Sequence, residues 1–243
     1  MSTTRTAIAS HRGGAILWPE NSPTAFRATA ALAVEQVEFD LHLSADDVPV
    51  VIHDPLLDRT TEAKGPVRAR SLAELRRVRL KGAAGETVPS LAEVAELFRP
   101  TPISLRIELK ADGAGQPYPG LLGRAMQVLD AAGMAGRCVF TSFQAPLVAE
   151  AAAHAPTIWL LAPAMQQAAG LAGAIAAARA LGIGGIGLRV ESCDAESVAA
   201  IRGAGLSAGA WAVNAAEEIA RIFALGVDVF TTDDPVTALR LRG

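Results

Sequence analysis

Short apolar runs alternate with longer helix-period segments from one end of this chain to the other, and this alternation restricts its fold most tightly. Runs centred on Ile8, Phe39, Ile107, Phe140, Leu160, Ile186, Ala210 and Val229 have the length and composition of buried strands. Helical spacing fills the intervals near 21–34, 120–132, 144–153, 167–181, 194–203 and 215–225, and a last helix follows Pro235. Residues 71–78 and 90–98 also read as short helices. Ser71 and Ser90 each stand three positions before a glutamate, Glu74 and Glu93, the spacing of a capping box. Eight strands alternating with helices indicate an α/β chain folded as a (β/α)8 TIM barrel. An extra extended run, 48–52, follows the second strand closely. The stretch from Asp54 to Pro102 is too long for an ordinary connection. Residues 55–102 therefore read as a small insertion after the second strand, within a single domain spanning 1–243.

The 243 residues can bury a sizeable core. Hydrophobic residues make up 51%, much of it alanine, which suits helices packed on a sheet. The most apolar stretch, 168–178, ends at Arg179 and falls short of the roughly 20 residues that a membrane span needs. The first ten residues lack the apolar core and cleavage site of a signal peptide. A net charge of -3 without blocks of like charge argues against a nucleic-acid partner. Cys138 and Cys193 stand alone, without CxxC spacing, and read as reduced core thiols. A cytoplasmic location is the expectation. Oligomeric state is left open, a homo-oligomer included.

Polar clusters close four of the apolar runs: His11-Arg12-Gly13, Glu38-Phe39-Asp40, His53-Asp54 and Glu108-Leu109-Lys110. In a barrel these positions form the C-terminal face, where active sites are built. Glu38 and Asp40 are two apart in a strand, so both side chains share one face. Two buried neighbouring carboxylates repel, and one is protonated unless a cation sits between them. Glu108 ends the next strand and offers a third oxygen. An all-oxygen set suits Mg2+ or Ca2+; spacing alone also allows pairing with lysine or arginine in the barrel core. His11 and His53, each at a strand end, suit acid–base work, because imidazole titrates near pH ~6.5. Arg12 and Lys110 can hold phosphate oxygens, and can equally balance the carboxylates. His42 shares the strand parity of Asp40 but falls beyond the expected strand end, so it is expected off the site. His154 lies in an alanine-rich helical segment and reads as a surface residue. Gly182–Gly187 fits GxGxxG, but here a helix precedes the glycines and a strand follows, the reverse of a dinucleotide fingerprint.

Taken in order, these segments resemble the glycerophosphodiester phosphodiesterase family. The matching pieces are HRGG (11–14), WPENSPTAF (18–26), VEFDLHLSADDVPVVIHDPLLDRTT (37–61), VPSLAEVAELF (88–98), IELK (107–110), FTSF (140–143), WAVN (211–214) and TTDDP (231–235). The resemblance implies a (β/α)8 barrel that cleaves a small-molecule glycerophosphodiester to glycerol 3-phosphate and an alcohol. It implies a divalent cation, Mg2+ or Ca2+, on Glu38, Asp40 and Glu108. His11 and His53 match the catalytic acid–base pair, and Arg12 and Lys110 match phosphate-contacting positions. Trp211 matches an aromatic residue near the glycerol or leaving group, with Asn214 and Ser142 as neighbours. The chain has Ser22 where the family often has threonine, and Ser44-Ala45-Asp46-Asp47 where it often has T-x-D-G. These changes touch turns and spare the proposed catalytic groups. Competing readings are a lysophospholipase D or phospholipase C-like barrel, a non-catalytic phosphate-ester binding protein, and a phosphate-binding barrel synthase or isomerase.

Overall fold

A computed structural model describes residues 5–243. The first four of the ten N-terminal residues considered for a signal segment lie outside the described residues. The strands are β1 (Ala7–Ser10), β2 (Gln36–Leu43), β3 (Pro49–Val51), β4 (Ser104–Leu109), β5 (Cys138–Ser142), β6 (Thr157–Leu161), β7 (Gly185–Arg189), β8 (Ser207–Trp211) and β9 (Val229–Thr232). All neighbours pair in parallel except β3, which runs antiparallel to β2. β1 pairs with both β2 and β9, so the eight parallel strands close into a barrel. Helices occupy the connections, as the alternation of sequence patterns requires.

β2 runs two residues beyond the expected Leu41. Its pairing with β3, Leu41 opposite Val51 and Leu43 opposite Pro49, satisfies backbone groups past the barrel rim. His42 therefore lies within the strand. The first helix is Pro23–Ala30, shorter than the 21–34 pattern. Ser22 accepts a hydrogen bond from the Ala25 amide and Pro23 takes the first turn, which fixes the start. Both capping boxes form, at Ser71 with Glu74 and at Ser90 with Glu93. The helix after Ser71 is a single turn, Leu72–Leu75, while Leu91–Phe98 runs as expected. The helical segment Pro163–Ala180 starts before 167 and breaks at Gly170, where φ is 66° and ψ 162°.

Apolar side chains sort by strand parity. Outward-facing residues pack on the helices, as where Phe26 meets Phe39 and Phe98 edge-on, with ring centroids 5.8 and 6.1 Å apart. Inward-facing Ala9, Ile158, Leu160 and Val229 form a small cluster inside the barrel. The glycine run entering β7 belongs to this packing: a Cβ on Gly185 would meet Ser207 O at 2.8 Å, and one on Gly187 would meet Leu160 Cδ2 at 3.0 Å. The segment between β3 and β4 has its own apolar cluster, including Leu57, Val67, Leu75, Val78, Leu80 and Val88. It joins β3 through Val50 opposite Ser90 and the Val51 amide donating to Pro89 O. Cys138 and Cys193 are buried free thiols. Among the described residues, no helix is long and apolar enough to cross a membrane.

Candidate active site

The chain turns sharply at the end of β1. Arg12, Gly13 and Gly14 all have positive φ (51°, 79° and 96°), which aims His11 and Arg12 at the barrel mouth. Gly13 has no substitute here, because a Cβ would sit 2.8 Å from Ala25 Cβ. Asn21 and Ala212 also have positive φ. Arg12 and Ala212 line the pocket and Asn21 donates to Asp40 Oδ2 at 2.8 Å, so strained backbone gathers around the mouth.

The pocket encloses about 290 Å3. Its polar side carries His11, Arg12, Glu38, His53, Arg106, Glu108 and Lys110; Phe143, Leu160 and Trp211 form its apolar side. Phe143 packs edge-on to Trp211 at 5.2 Å, and the Trp211 indole N–H donates to Gly187 O at 3.2 Å. Register explains the convergence: Glu38 pairs with Arg106 and Asp40 with Glu108 across β2 and β4, so all four side chains point into the barrel.

Glu38, Asp40 and Glu108 are buried, and each offers an oxygen within 4.8 Å of the others. Burial and the neighbouring Asp40 push the Glu38 carboxyl up from its usual range, against the pull of His11 and Arg12. Burial would also raise Asp40, but Lys110 and Arg12 hold it well below the usual carboxylate range. Lys110 Nζ lies 2.9 Å from Asp40 Oδ1 and 2.6 Å from Glu108 Oε1, and Arg12 Nε lies 3.4 Å from Asp40 Oδ2. Arg12, Lys110 and the buried Arg106 thus balance three carboxylates. This hard, buried, all-oxygen donor set, in which repulsion still raises Glu38, fits a divalent cation of the Mg2+ or Ca2+ type.

Each histidine at the mouth has a carboxylate on Nδ1. His11 Nδ1 lies 2.5 Å from Asp233 Oδ1, and His53 Nδ1 lies 2.5 Å from Asp54 Oδ1. A carboxylate there accepts the Nδ1 proton and leaves Nε2 for other partners. His11 Nε2 is 3.8 Å from Glu38 Oε2. Burial opposes charge on His11, but Glu38 and Asp233 outweigh it and raise its pKa. His42 lies off the pocket. Tyr118 OH is 2.8 Å from its Nδ1, and its Nε2 donates to His53 O at 3.0 Å, so it braces the loop behind His53. Burial lowers the His42 pKa to about 4, so this brace is neutral. His154 is exposed.

The structure brings His11, Arg12, Glu38, His53, Glu108, Lys110 and Trp211 to one pocket, with Asp40 completing the carboxylate cluster. Asn214 reaches this group through Asp233, donating to its Oδ2 at 2.7 Å. Ser142 donates to Leu109 O and is not on the pocket wall. Sequence reasoning missed Asp233 and Arg106. The rule that polar residues ending apolar runs gather at the mouth reaches Asp233, just after β9. Parity with Glu108 places Arg106 on the inward face.

Residues 11–237 match the glycerophosphoryl diester phosphodiesterase family model. A glycerophosphodiester phosphodiesterase of Caldanaerobacter subterraneus subsp. tengcongensis is 27% identical over 98% of both chains. A crystal structure assigned as a glycerophosphoryl diester phosphodiesterase of Agrobacterium tumefaciens str. C58 superposes with a TM-score of 0.95 at 37% identity, over 98% of this chain and 97% of that one. An Oleispira antarctica phosphodiesterase, solved with its product sn-glycerol-3-phosphate, shares the fold at a TM-score of 0.81 and 23% identity, over 97% of this chain and 96% of that one. With its barrel, its mouth and its sequence in agreement, the chain belongs to the glycerophosphoryl diester phosphodiesterase family.

Proposed function

We propose that this chain hydrolyses glycerophosphodiesters to glycerol 3-phosphate and an alcohol, with a divalent cation on Glu38, Asp40 and Glu108 and with His11 and His53 as the acid–base pair. One observation carries the reading: two carboxylate-braced histidines and two phosphate-competent cations line the same pocket as two carboxylates of a buried triad. When bound, a divalent cation supplies Lewis-acid charge stabilisation to a phosphoryl oxygen. Arg12 and Lys110 hold the non-bridging oxygens and oppose the charge that builds as a new P–O bond forms. One histidine takes the proton of the nucleophile, either water or the glycerol 2-hydroxyl. The other protonates the departing alkoxide as the P–O bond to the alcohol breaks. With the 2-hydroxyl as nucleophile, a cyclic phosphate forms first and water then opens it; proximity favours this route. Trp211 and Phe143 supply a wall for the carbon part of the substrate.

A pocket of about 290 Å3 suits a small diester. The exposed Ile16, Leu17 and Phe143, on loops following β1 and β5, favour a second reading in which the glycerol carries an acyl chain, as for a lysophospholipase D. The experiment is release of glycerol 3-phosphate from a panel of water-soluble glycerophosphodiesters, in matched reactions with Mg2+, Ca2+ or excess chelator. Release that depends on the metal supports the first reading. Release of lysophosphatidic acid and headgroup alcohol from lysophospholipids, with no glycerol 3-phosphate from the water-soluble panel, moves the assignment to the second.

A further inference from the structure

Arg59 belongs to the segment inserted after β3 and is not on the pocket wall. Its guanidinium grips two carboxylates at once. Nε lies 2.7 Å from Asp54 Oδ2 and NH2 3.0 Å from Asp54 Oδ1; NH1 lies 2.6 Å from Glu20 Oε2 and NH2 2.8 Å from Glu20 Oε1. Both carboxylates lead into the site. Asp54 Oδ1 holds His53 Nδ1 at 2.5 Å, and Glu20 Oε1 accepts from Arg12 NH1 at 3.1 Å. The chain of contacts His53–Asp54–Arg59–Glu20–Arg12 thus joins the inserted segment to the turn after β1.

A single exposed ion pair contributes little, but a planar fork that binds two carboxylates edge-on fixes geometry as well as charge. Lysine, a point charge, cannot reproduce four such contacts. The backbone carbonyl of Arg59 accepts from Lys81 Nζ at 3.1 Å, which holds the base of the side chain. The hydrogen bonds from Arg59 keep the Asp54 carboxyl down at about 2, so it stays an ionised acceptor for His53.

We propose that Arg59 is a positioning residue: it sets the distance between the proton-transferring histidine His53 and the phosphate-holding Arg12 by clamping Asp54 to Glu20. The assignment rests on the acid–base reading of His53 given above. Without Arg59, Asp54 and Glu20 repel, and His53 loses the fixed acceptor behind its ring.

Arg59→Ala lowers kcat on a cleaved glycerophosphodiester by about 10- to 100-fold, with KM changed less than about threefold and the thermal midpoint nearly unmoved. Guanidinium at tens of millimolar restores much of the loss, because the site is open to solvent and the fork is what is missing; ethylammonium does not. Glu20→Gln lowers kcat in the same direction, and the double variant is no worse than Arg59→Ala alone. An unchanged kcat in Arg59→Ala, a loss that guanidinium cannot restore, or full additivity of the two substitutions overturns the proposal. Nitrogen-15 spectra of the histidine rings give a second readout that needs no turnover: Arg59→Ala mixes the His53 tautomers, and an unaltered His53 signal refutes the clamp. His53→Ala serves as the control. If it turns over like the wild type, the acid–base reading fails, while the ring spectra still decide whether Arg59 holds His53.

Discussion

His11 and Asp233 stand 222 positions apart in the chain, yet their Nδ1 and Oδ1 atoms are 2.5 Å apart across the seam where β1 meets β9. Closing the barrel therefore assembles the brace behind His11. Asn214 holds that brace from the other side, donating to Asp233 Oδ2 at 2.7 Å and accepting from the Asp233 amide at 2.8 Å. After β3, Asp54 follows His53 directly in sequence and its Oδ1 lies 2.5 Å from His53 Nδ1. The two histidines thus reach the same local geometry by different means, one through tertiary closure and one through chain neighbourhood.

Asp233→Asn tests the long-range brace. The amide is close in shape, but it can offer an N–H where the carboxylate only accepts, which favours the wrong His11 tautomer. Turnover is expected to fall at least ~10-fold, and His11→Ala and His53→Ala each by at least ~100-fold, with thermal midpoints little changed. Steady-state rates beside thermal melts check this. An Asp233→Asn enzyme with wild-type turnover removes Asp233 from His11's function, and near-normal turnover in either alanine variant removes that histidine from the mechanism.

Glu38 separates stability from function. Burial and the repulsion of Asp40 and Glu108 raise its pKa in the absence of metal, so its charge destabilises the empty cluster. Glu38→Gln removes that charge while keeping an acceptor for the Arg12 amide, now 3.1 Å from Oε2. In chelator the variant is expected to melt at or above the wild type. Saturating Mg2+ or Ca2+ then raises the wild-type midpoint, by about 2.7 kcal/mol of stability at a hundred times Kd, and leaves the variant unmoved. Equal metal-dependent shifts in the two proteins would exclude Glu38 as a ligand.

Much of this architecture was legible in the residues. Eight apolar runs with helical intervals give the barrel, because parallel strands buried on both faces carry continuous hydrophobic stretches. The pairing of Glu38 with Asp40 follows from strand period two, and the register of β2 on β4 brings Glu108 beside Asp40. The extension of β2 to Leu43 was hidden, since it depends on β3 folding back on its edge. The true role of His42 was hidden with it, because Tyr118 and His53 O come from other segments. Arg59 meets Asp54 and Glu20 through side-chain contacts that no local pattern records, whereas Asp233 ends an apolar run and only its pairing with His11 is non-local. Arg106 escaped notice because arginine inside a barrel strand is read as surface unless its parity is followed.

The two cysteines provide a pH-dependent test. Burial, with a smaller contribution from Asp130, pushes the Cys138 thiol up to about 11, and burial likewise raises Cys193. The thiolate is the reactive form, so neither residue is expected to react with Ellman's reagent at pH 8 until the chain unfolds. The unfolded chain loses the Cys138 proton near its ordinary value of 9.0, whereas the folded chain keeps it to about 11. Folded protein binds more protons in that interval, so stability falls as pH rises through it. Cys138→Ala is expected to flatten this slope in urea melts at pH 9 and pH 11. Rapid labelling of the native protein at pH 8, or an unchanged slope in the variant, contradicts the assignment.

Arg242, in the final helical turn, ties the end of the chain to the start of the barrel. Its NH1 lies 2.8 and 2.7 Å from the two Glu35 oxygens, and its NH2 donates to Ala33 O at 2.8 Å. Glu35 Oε2 in turn accepts from the Ile8 amide at 2.9 Å, so one carboxylate links the last helix to β1. The Arg242 side chain is 7% exposed and that of Glu35 is 37% exposed, which places the pair between a buried and a surface bridge. Truncation to alanine removes three hydrogen bonds and leaves Glu35 facing the Ile8 amide alone. Allowing for solvent at Glu35, the cost is about 1–2 kcal/mol, or a fall of roughly 2–8 °C in Tm for a chain of this size. Arg242→Lys retains the charge without the fork and falls between the two. Differential scanning calorimetry on the three proteins measures the order directly. A lysine variant as stable as the wild type shows that charge alone suffices, and an alanine variant as stable as both removes the clamp from the stability of the barrel.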